Sequence, residues 1–277
     1  MGDNPAYISN VEPAPADGWK RRIVSALASA ILPGLGQFLL AAKRRALIYF
    51  VFLLFVVLLY WPLRCPKTYV GLICAAWLTL LLPVISVVDA LRAKHASLRP
   101  ASRWWLVILV PVAILVSVFY CNCLFRAAGF RNFSIPSSSM ETTIGKGNLL
   151  VGDLMAYRHS IPRPCDVVLF RRDKTVWVKR VVAMPGDTIE GKAGEVIVNG
   201  KQLSEPYIRH MGTPLPKLFN FGPTTIPASK LFVMGDNRDV SLDSRVPEFG
   251  LVDIQDVLGK ALYIYRSNRG WRGSNIR

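Results

Sequence analysis

The chain divides into an apolar first half and a mixed second half, and the change falls near residue 130. In the first half, long apolar runs alternate with short basic clusters, and acids are rare. In the second half, the apolar runs are short and are separated by Gly, Pro, Asn and Asp. Long apolar runs are typical of membrane helices, whereas short runs between turn residues are typical of β-strands. The pattern therefore predicts a membrane region over 23–130, followed by a mostly β domain.

Three runs in the first half are long enough, or nearly so, to cross a bilayer, since a helical span needs about 20 mostly apolar residues. They cover residues 46–61, 69–91 and 104–125, and the only charge within them is Asp89. Buried helices of a soluble core are the alternative, but three such runs in close succession argue against it. We therefore predict about three spans.

A fourth run, residues 23–42, has a centre that does not suit a straight span. It reads Leu-Pro-Gly-Leu-Gly-Gln from Leu32 to Gln37. Proline removes a backbone donor and glycine weakens a helix. We expect a re-entrant or interfacial helical hairpin over 23–42, preceded by a polar tail, residues 1–22.

Basic loops indicate the orientation, because Lys and Arg are retained on the cytoplasmic side of a membrane. Loops 42–45 and 92–103 are richer in these residues than loop 62–68. Two spans separate the two richer loops, so both can lie in the cytoplasm. The third span then carries everything after residue 125 to the extracytoplasmic side.

Composition narrows the functional classes further. The chain has 277 residues, 34 Lys+Arg against 18 Asp+Glu, and 52% hydrophobic residues, which excludes a disordered chain and a soluble single domain. The basic residues of the first half lie between apolar runs, so membrane topology explains them better than nucleic-acid binding does. Five Cys and three His show no metal-ligand spacing, and we expect neither a metal site nor a cofactor.

The second half, residues 131–277, is predicted to be a β domain with Greek-key or barrel-like closure. Asn199-Gly200 is a strong hairpin turn between two strand-like runs. The segment 205–227 holds five prolines, so we expect a long loop or an insertion there. The candidate strands are residues 148–151, 167–170, 176–183, 195–198, 230–234 and 261–265.

A run of serines after Pro136 is the first candidate for chemistry. Ser137, Ser138 and Ser139 lie just beyond the third apolar run. A serine nucleophile needs a base, and none of the histidines lies beside a supporting acid. A lysine base is the main variant of that arrangement. A polar linker between membrane and domain is the open alternative for these serines.

Lys179 is the candidate base. Strand alternation places it on one face with Trp177 and Val181. Desolvation by apolar neighbours disfavours the ammonium and lowers the pKa of a lysine, as a base near neutral pH requires. The alternative is an edge-strand lysine that protects against aggregation.

A dense polar cluster runs from Gly235 to Arg245, directly after an apolar strand. Asp and Arg at close spacing can form a buried ion-pair network that holds a loop rigid. A solvated turn or a Ca²⁺-binding loop are the alternatives, although the cluster lacks the ligand spacing of an EF-hand.

Together the three clusters resemble the sequence boxes of bacterial type I signal peptidases. Residues 136–140 look like the nucleophile box, residues 179–187 like the lysine box and residues 235–245 like the third box. They occur in the family's order, and the resemblance covers roughly residues 131–265. Two departures are Thr142, where the family has proline, and Val240, where it has asparagine. Neither carries a proton-transfer atom, so we expect activity to survive.

The resemblance implies a serine endopeptidase that removes signal peptides and needs no cofactor. It implies Ser139 as the nucleophile and Lys179 as the general base. Ser137 would contribute to the oxyanion hole, and Ser241 would orient the lysine. The residues implied as structural support are Asp236, Arg238, Asp243 and Arg245.

The apolar runs and the loop charges predict a multi-pass protein whose second half is extracytoplasmic, and the resemblance implies that its membrane is the bacterial cytoplasmic membrane. The protein's partners would be membrane lipid and the signal peptides of preproteins exported by the Sec or Tat route. Two other functions stay open: a dedicated processing protease with the same Ser-Lys chemistry, and a non-catalytic membrane-anchored binding domain.

Overall fold

A computed structural model of the chain describes residues 18–60, 64–92, 104–208, 220–268 and 270–276. The chain forms two compact units. One unit is helical and comprises Met1–Leu63 and Cys74–Leu124. The other comprises Arg64–Ile73 and Phe125–Arg277 and is mostly β, which confirms the predicted class of the second half.

Helices account for most of the described residues in the first half of the chain. Each predicted span coincides with a helix, although the helices begin and end a few residues away from the apolar runs. The helices are α1 (Gly18–Ile31), α2 (Leu35–Leu39), α3 (Lys43–Tyr60), α4 (Tyr69–Arg92) and α5 (Trp104–Ala127), with a 3₁₀ turn at Cys65–Lys67.

Within the described residues, α4 is the helix that is long and apolar enough to cross a membrane. Helix α3 contains three basic residues in its first turn, and α5 has a shorter apolar stretch, Pro111–Ala127. The expectation of about three spans is therefore not confirmed by helix length and composition, and it stays a prediction.

The centre of the segment 23–42 breaks the helix, as its proline and glycines predict. Gly34 separates α1 from α2 and has a φ of 97°, a left-handed conformation that glycine adopts without strain. Gln37 then anchors α2, because its side-chain oxygen accepts hydrogen bonds from Ser29 (3.1 Å) and Ser86 (3.2 Å). Its amide nitrogen donates to the Ser86 carbonyl at 2.8 Å. This buried polar network ties the broken segment to α4.

The second half forms two antiparallel sheets in the described residues. The larger sheet has the order β1-β2-β11-β3-β4-β9-β10, with β12 paired to β11, and the smaller has the order β7-β6-β5-β8. Their strands are β1 (Phe130–Ser134), β2 (Leu149–Asp153), β3 (Val167–Arg172), β4 (Thr175–Ala183), β5 (Thr188–Lys192), β6 (Glu195–Val198), β7 (Lys201–Gln202), β8 (Phe221–Thr225), β9 (Lys230–Met234), β10 (Val252–Asp253), β11 (Val257–Ser267) and β12 (Gly270–Asn275).

Each predicted strand overlaps an observed one, and the segment 205–227, expected to be a long loop or an insertion, also contains a strand that was not predicted. Strand β8 lies within it and includes Pro223. A proline is tolerated there because β8 is an edge strand, which leaves one row of backbone groups unpaired. Residues 209–219 of the predicted loop lie outside the described residues.

The loop between α3 and α4 is part of the β unit. Arg64 forms an ion pair with Asp153 at the end of β2, and its guanidinium also donates to the Ala128 carbonyl at 3.2 Å. The hydroxyl of Tyr263 donates to the Pro66 carbonyl at 2.8 Å. Residues 64–73, which are far from this domain in sequence, therefore complete its structure.

Candidate active site

The turn after β1 carries the serines of the first box. Ile135, Met140 and Ile144 are buried in the core beneath it. This packing pins the turn and leaves Ser139 half-buried at the surface. The hydroxyl oxygens of Ser137 and Ser139 lie 3.2 Å apart. The local pattern of apolar and polar residues thus presents two adjacent hydroxyls to solvent.

Lys179 lies on β4, between β3 and β9, and is completely buried. The reading as an edge-strand lysine is therefore wrong, because a strand pairs with β4 on each side. Among the described residues, the Nζ atom has no hydrogen-bond partner, and it lies 5.7 Å from the centroid of the Trp177 ring. Burial lowers the pKa of Lys179 from 10.5 to about 8, although the Asp243 carboxylate acts in the opposite direction.

The carboxylates of the third box are paired with arginines. Asp243 accepts two hydrogen bonds from Arg245, at 2.8 Å and 3.0 Å, and Asp236 accepts two from Arg180, at 2.8 Å and 2.7 Å. Burial alone would raise the pKa of Asp243, but its hydrogen bonds from Arg245 outweigh that effect and hold the pKa below its ordinary value. The reading of this cluster as a solvated turn or a Ca²⁺-binding loop is wrong, since these acids are buried and bound by guanidinium groups.

The third box also holds the turn that carries the serines. The backbone N–H of Asn237 donates to the Ser139 carbonyl at 3.1 Å, and its side-chain amide donates to the Ser138 carbonyl at 3.2 Å. A Cβ atom on Gly235 would lie 2.4 Å from the Ser139 carbonyl oxygen and 2.2 Å from Ser241 Oγ. Glycine is thus the residue that allows these two loops to approach.

The predicted site residues are not all in direct contact. Ser137 meets Ser139, and the third box meets the backbone of Ser139, but Lys179 makes no hydrogen bond to any described serine. Catalytic hydrogen bonds are often long in the free enzyme and tighten when substrate binds.

A groove runs beside Ser139 between the turn and the start of β4. It has a volume of about 220 Å³ and is lined by Ile135, Ser137, Trp177 and Val178, among others. A mostly apolar lining beside a few polar groups is typical of a ligand-binding groove.

Two contributors to the site were not predicted from the sequence. Asn237 lies in the third box, and its position directly after Asp236 was the available signal. Glu205, which pairs with Arg238, lies in the segment expected to be a loose loop. The only signal in the sequence for Glu205 was a negative charge within a proline-rich segment.

No group of three His, Cys, Asp or Glu side chains in the described part of the chain could hold a metal ion.

A sequence model of the family described as "Signal peptidase, peptidase S26" matches residues 102–266, which is more than half of the chain. The chain belongs to this family. Membership confirms the resemblance found in the three boxes, and with it a serine endopeptidase that removes signal peptides.

Individual signal peptidases show the same similarity. Signal peptidase I V of Bacillus subtilis is 32% identical over 166 residues, covering 56% of this chain and 94% of the relative. Signal peptidase I of Mycobacterium tuberculosis is 32% identical over 237 residues, covering 66% of this chain and 80% of the relative. A crystal structure of a signal peptidase I from Enterococcus faecalis has 31% identity and a TM-score of 0.32, covering 36% of this chain and 95% of that chain.

We predict that Gly235→Ala lowers peptidase activity by about 100-fold, because the new methyl group must displace the Ser139 backbone, and small misplacements of reacting groups cost this much. Gly145→Ala is the matched control, since its Cβ atom would meet nothing closer than 3.6 Å. Initial rates of preprotein cleavage by the purified proteins measure the effect. Equal activity of the two variants would contradict the close approach at Gly235.

Proposed function

We propose that this signal peptidase cleaves its substrates with a Ser139–Lys179 dyad. One observation carries the proposal: Lys179 is a fully buried lysine whose amine has no hydrogen-bond partner among the described residues. A buried ammonium without a partner is costly, so burial shifts the equilibrium of such an amine towards its neutral form. A neutral amine is a competent general base.

In this mechanism, Ser139 Oγ attacks the scissile carbonyl while Lys179 Nζ takes its proton. The protonated lysine then gives a proton to the leaving amine, and an acyl-enzyme forms on Ser139. Lys179, neutral again, activates the water that hydrolyses this ester. The Ser137 hydroxyl, 3.2 Å from Ser139 Oγ, and the Ser139 N–H stabilise the oxyanion.

The ion pairs of the third box support the neutral state of Lys179. Asp236 and Asp243 both favour a protonated lysine, but each carboxylate is neutralised by its own arginine. Burial then decides the protonation state. We assign to Ser241, which is buried against Gly235, the role of orienting the lysine.

A non-catalytic binding domain is not favoured, because both members of the dyad are present in a chain that belongs to a peptidase family. Substrates of this enzyme are preproteins exported by the Sec or Tat route to the bacterial cytoplasmic membrane. The groove beside Ser139 accepts small residues before the cleavage site.

The catalytic domain lies on the extracytoplasmic side of a multi-pass anchor. Residues 64–73 and 125–276 belong to one unit, which supports an arrangement in which the chain leaves and returns to the same side of the membrane between them. Helix α4, a candidate span, takes the chain across, and α5 brings it back. Helix α3, which ends shortly before residue 64, is the third span, with its basic first turn in the cytoplasm and lipid around it.

We predict that Ser139→Ala and Lys179→Ala each abolish cleavage, since each removes one member of the dyad. Lys179→Arg does not restore it, because a guanidinium stays protonated. His159→Ala, at an exposed position, is the control and retains activity. The test is rescue of preprotein maturation in cells depleted of their own signal peptidase. If Lys179→Ala still cleaved the preprotein and His159→Ala did not, the general base would be a histidine and not Lys179.

We predict that kcat/KM rises with pH through a midpoint near 8, because only the neutral lysine acts as a base. The sign of the stability effect follows from the same lowered pKa. Between about pH 8 and 10.5 the unfolded chain binds more protons than the folded one, so the destabilisation that the buried lysine causes at lower pH is lost as the pH rises through this range. Kinetics on a substrate without titrating groups near the cleavage site measure the profile. A midpoint near 10.5 would show that Lys179 is not desolvated in the working enzyme.

We predict that a reporter fused after Trp19 lies in the cytoplasm. Reporters fused after Lys67 and after Arg131 should both lie on the extracytoplasmic side. The reason is that loop 64–73 and the catalytic domain share one unit, whereas the segment 23–42 does not span. Paired alkaline phosphatase and fluorescent-protein fusions distinguish the two sides. A cytoplasmic reading after Lys67 would exclude the three-span arrangement.

A further inference from the structure

A short segment outside the three boxes contacts residues of all three. We call residues 205–207, Glu-Pro-Tyr, the clasp. We propose that Glu205 and Tyr207 are positioning residues that hold the Ser139 turn in register with the lysine strand and the third box. This inference rests on the proposed Ser139–Lys179 dyad, and it adds residues that act on the dyad through other groups.

The clasp meets the third box through a buried ion pair. Both oxygens of Glu205 accept hydrogen bonds from the Arg238 guanidinium, and the two side chains are 5% and 3% exposed. Arg238 also donates to the Gly235 carbonyl at 3.1 Å, and its own carbonyl accepts a bond from Arg245 at 2.9 Å. Removing the charge of Glu205 would leave a buried guanidinium uncompensated in the middle of this loop.

The clasp meets the lysine strand through an aromatic ring. The guanidinium carbon of Arg180, the residue after Lys179, lies 4.0 Å from the centroid of the Tyr207 ring. The Tyr207 hydroxyl donates to Glu205 at 2.9 Å. Burial and the adjacent Glu205 carboxylate raise the pKa of Tyr207, so the hydroxyl keeps its proton. Tyr207 thus connects the two arginines that belong to different boxes.

The clasp meets the first box at Thr142, three residues after Ser139. The Thr142 hydroxyl donates to the Tyr207 carbonyl at 2.6 Å. Signal peptidases usually have proline at this position, and proline would fix the backbone but has no hydroxyl. In this chain, therefore, the hydrogen bond from Thr142 to the clasp restrains the turn, whereas a proline ring would restrain it in other signal peptidases.

These contacts act on Ser139 from two sides. Thr142 restrains the turn after the nucleophile, and Arg238 restrains the loop whose Asn237 holds the Ser138 and Ser139 carbonyls. A loss of either restraint lets the Ser139 hydroxyl move relative to Lys179. A misplacement of about 1 Å is enough to slow proton transfer by as much as about 100-fold.

The experiment uses the purified full-length enzyme in detergent with a preprotein substrate. It compares Glu205→Gln, Tyr207→Phe and Thr142→Val with wild type and with Glu195→Gln, an exposed glutamate of the same domain. We expect kcat per folded molecule to fall about tenfold or more in the three clasp variants, with KM changed less than about twofold, and no effect of Glu195→Gln. We expect Thr142→Ser, which keeps the hydroxyl, to retain the wild-type kcat.

The result that overturns the proposal is a wild-type kcat per folded molecule in the clasp variants, even if their melting temperatures fall, since that outcome means a purely structural role. Loss of kcat in Thr142→Ser as severe as in Thr142→Val also overturns it. If Glu205→Gln does not fold, the proposal is still tested by Tyr207→Phe and by the comparison of Thr142→Val with Thr142→Ser. Ser139→Ala is measured in parallel: cleavage by that variant refutes the dyad itself, whereas its inactivity beside fully active clasp variants refutes only the clasp.

Discussion

The burial of one amine governs the arrangement of the whole site. An ammonium inside a sheet, without a hydrogen-bond partner among the described residues, is tolerated only if it can lose its proton. An unpaired carboxylate close to Lys179 would reverse that balance and keep the lysine charged. The nearby acids must therefore be satisfied by other cations, and Arg180 and Arg245 meet that requirement.

The arginines have a second effect, which is mechanical. Each guanidinium forms bonds at several of its nitrogens, so each one fixes a loop as well as a charge. Arg245 connects Asp243 to the backbone at Arg238, and Arg180 connects Asp236 to the Cys165 carbonyl. Charge balance and loop rigidity thus come from the same contacts. A lysine could supply the charge but not the planar set of donors.

Local patterns were enough to predict some of this structure. Alternation along β4 placed Lys179 beside Trp177, and turn residues separated the strands near their observed ends. The features that were missed depend on contacts between distant residues. Strand β8 forms because a partner edge is available for Phe221–Thr225, and Glu205 matters because Arg238 lies opposite to it. No periodicity in the sequence reports such pairings.

The loop at residues 64–73 makes the catalytic unit discontinuous along the chain. Strand β2 and strand β11 receive Arg64 and Pro66 from a segment that is synthesised before α4 and α5. Asp153 and Tyr263 are both buried. An excised domain that begins at Phe125 would lack Arg64, the cation that pairs with Asp153, and the Pro66 carbonyl, which accepts the hydrogen bond of the Tyr263 hydroxyl. The helical pair α4–α5 is therefore an insertion into the protease rather than a leader attached to it. Gene fusions and soluble versions of this enzyme need to carry the loop as well as the domain.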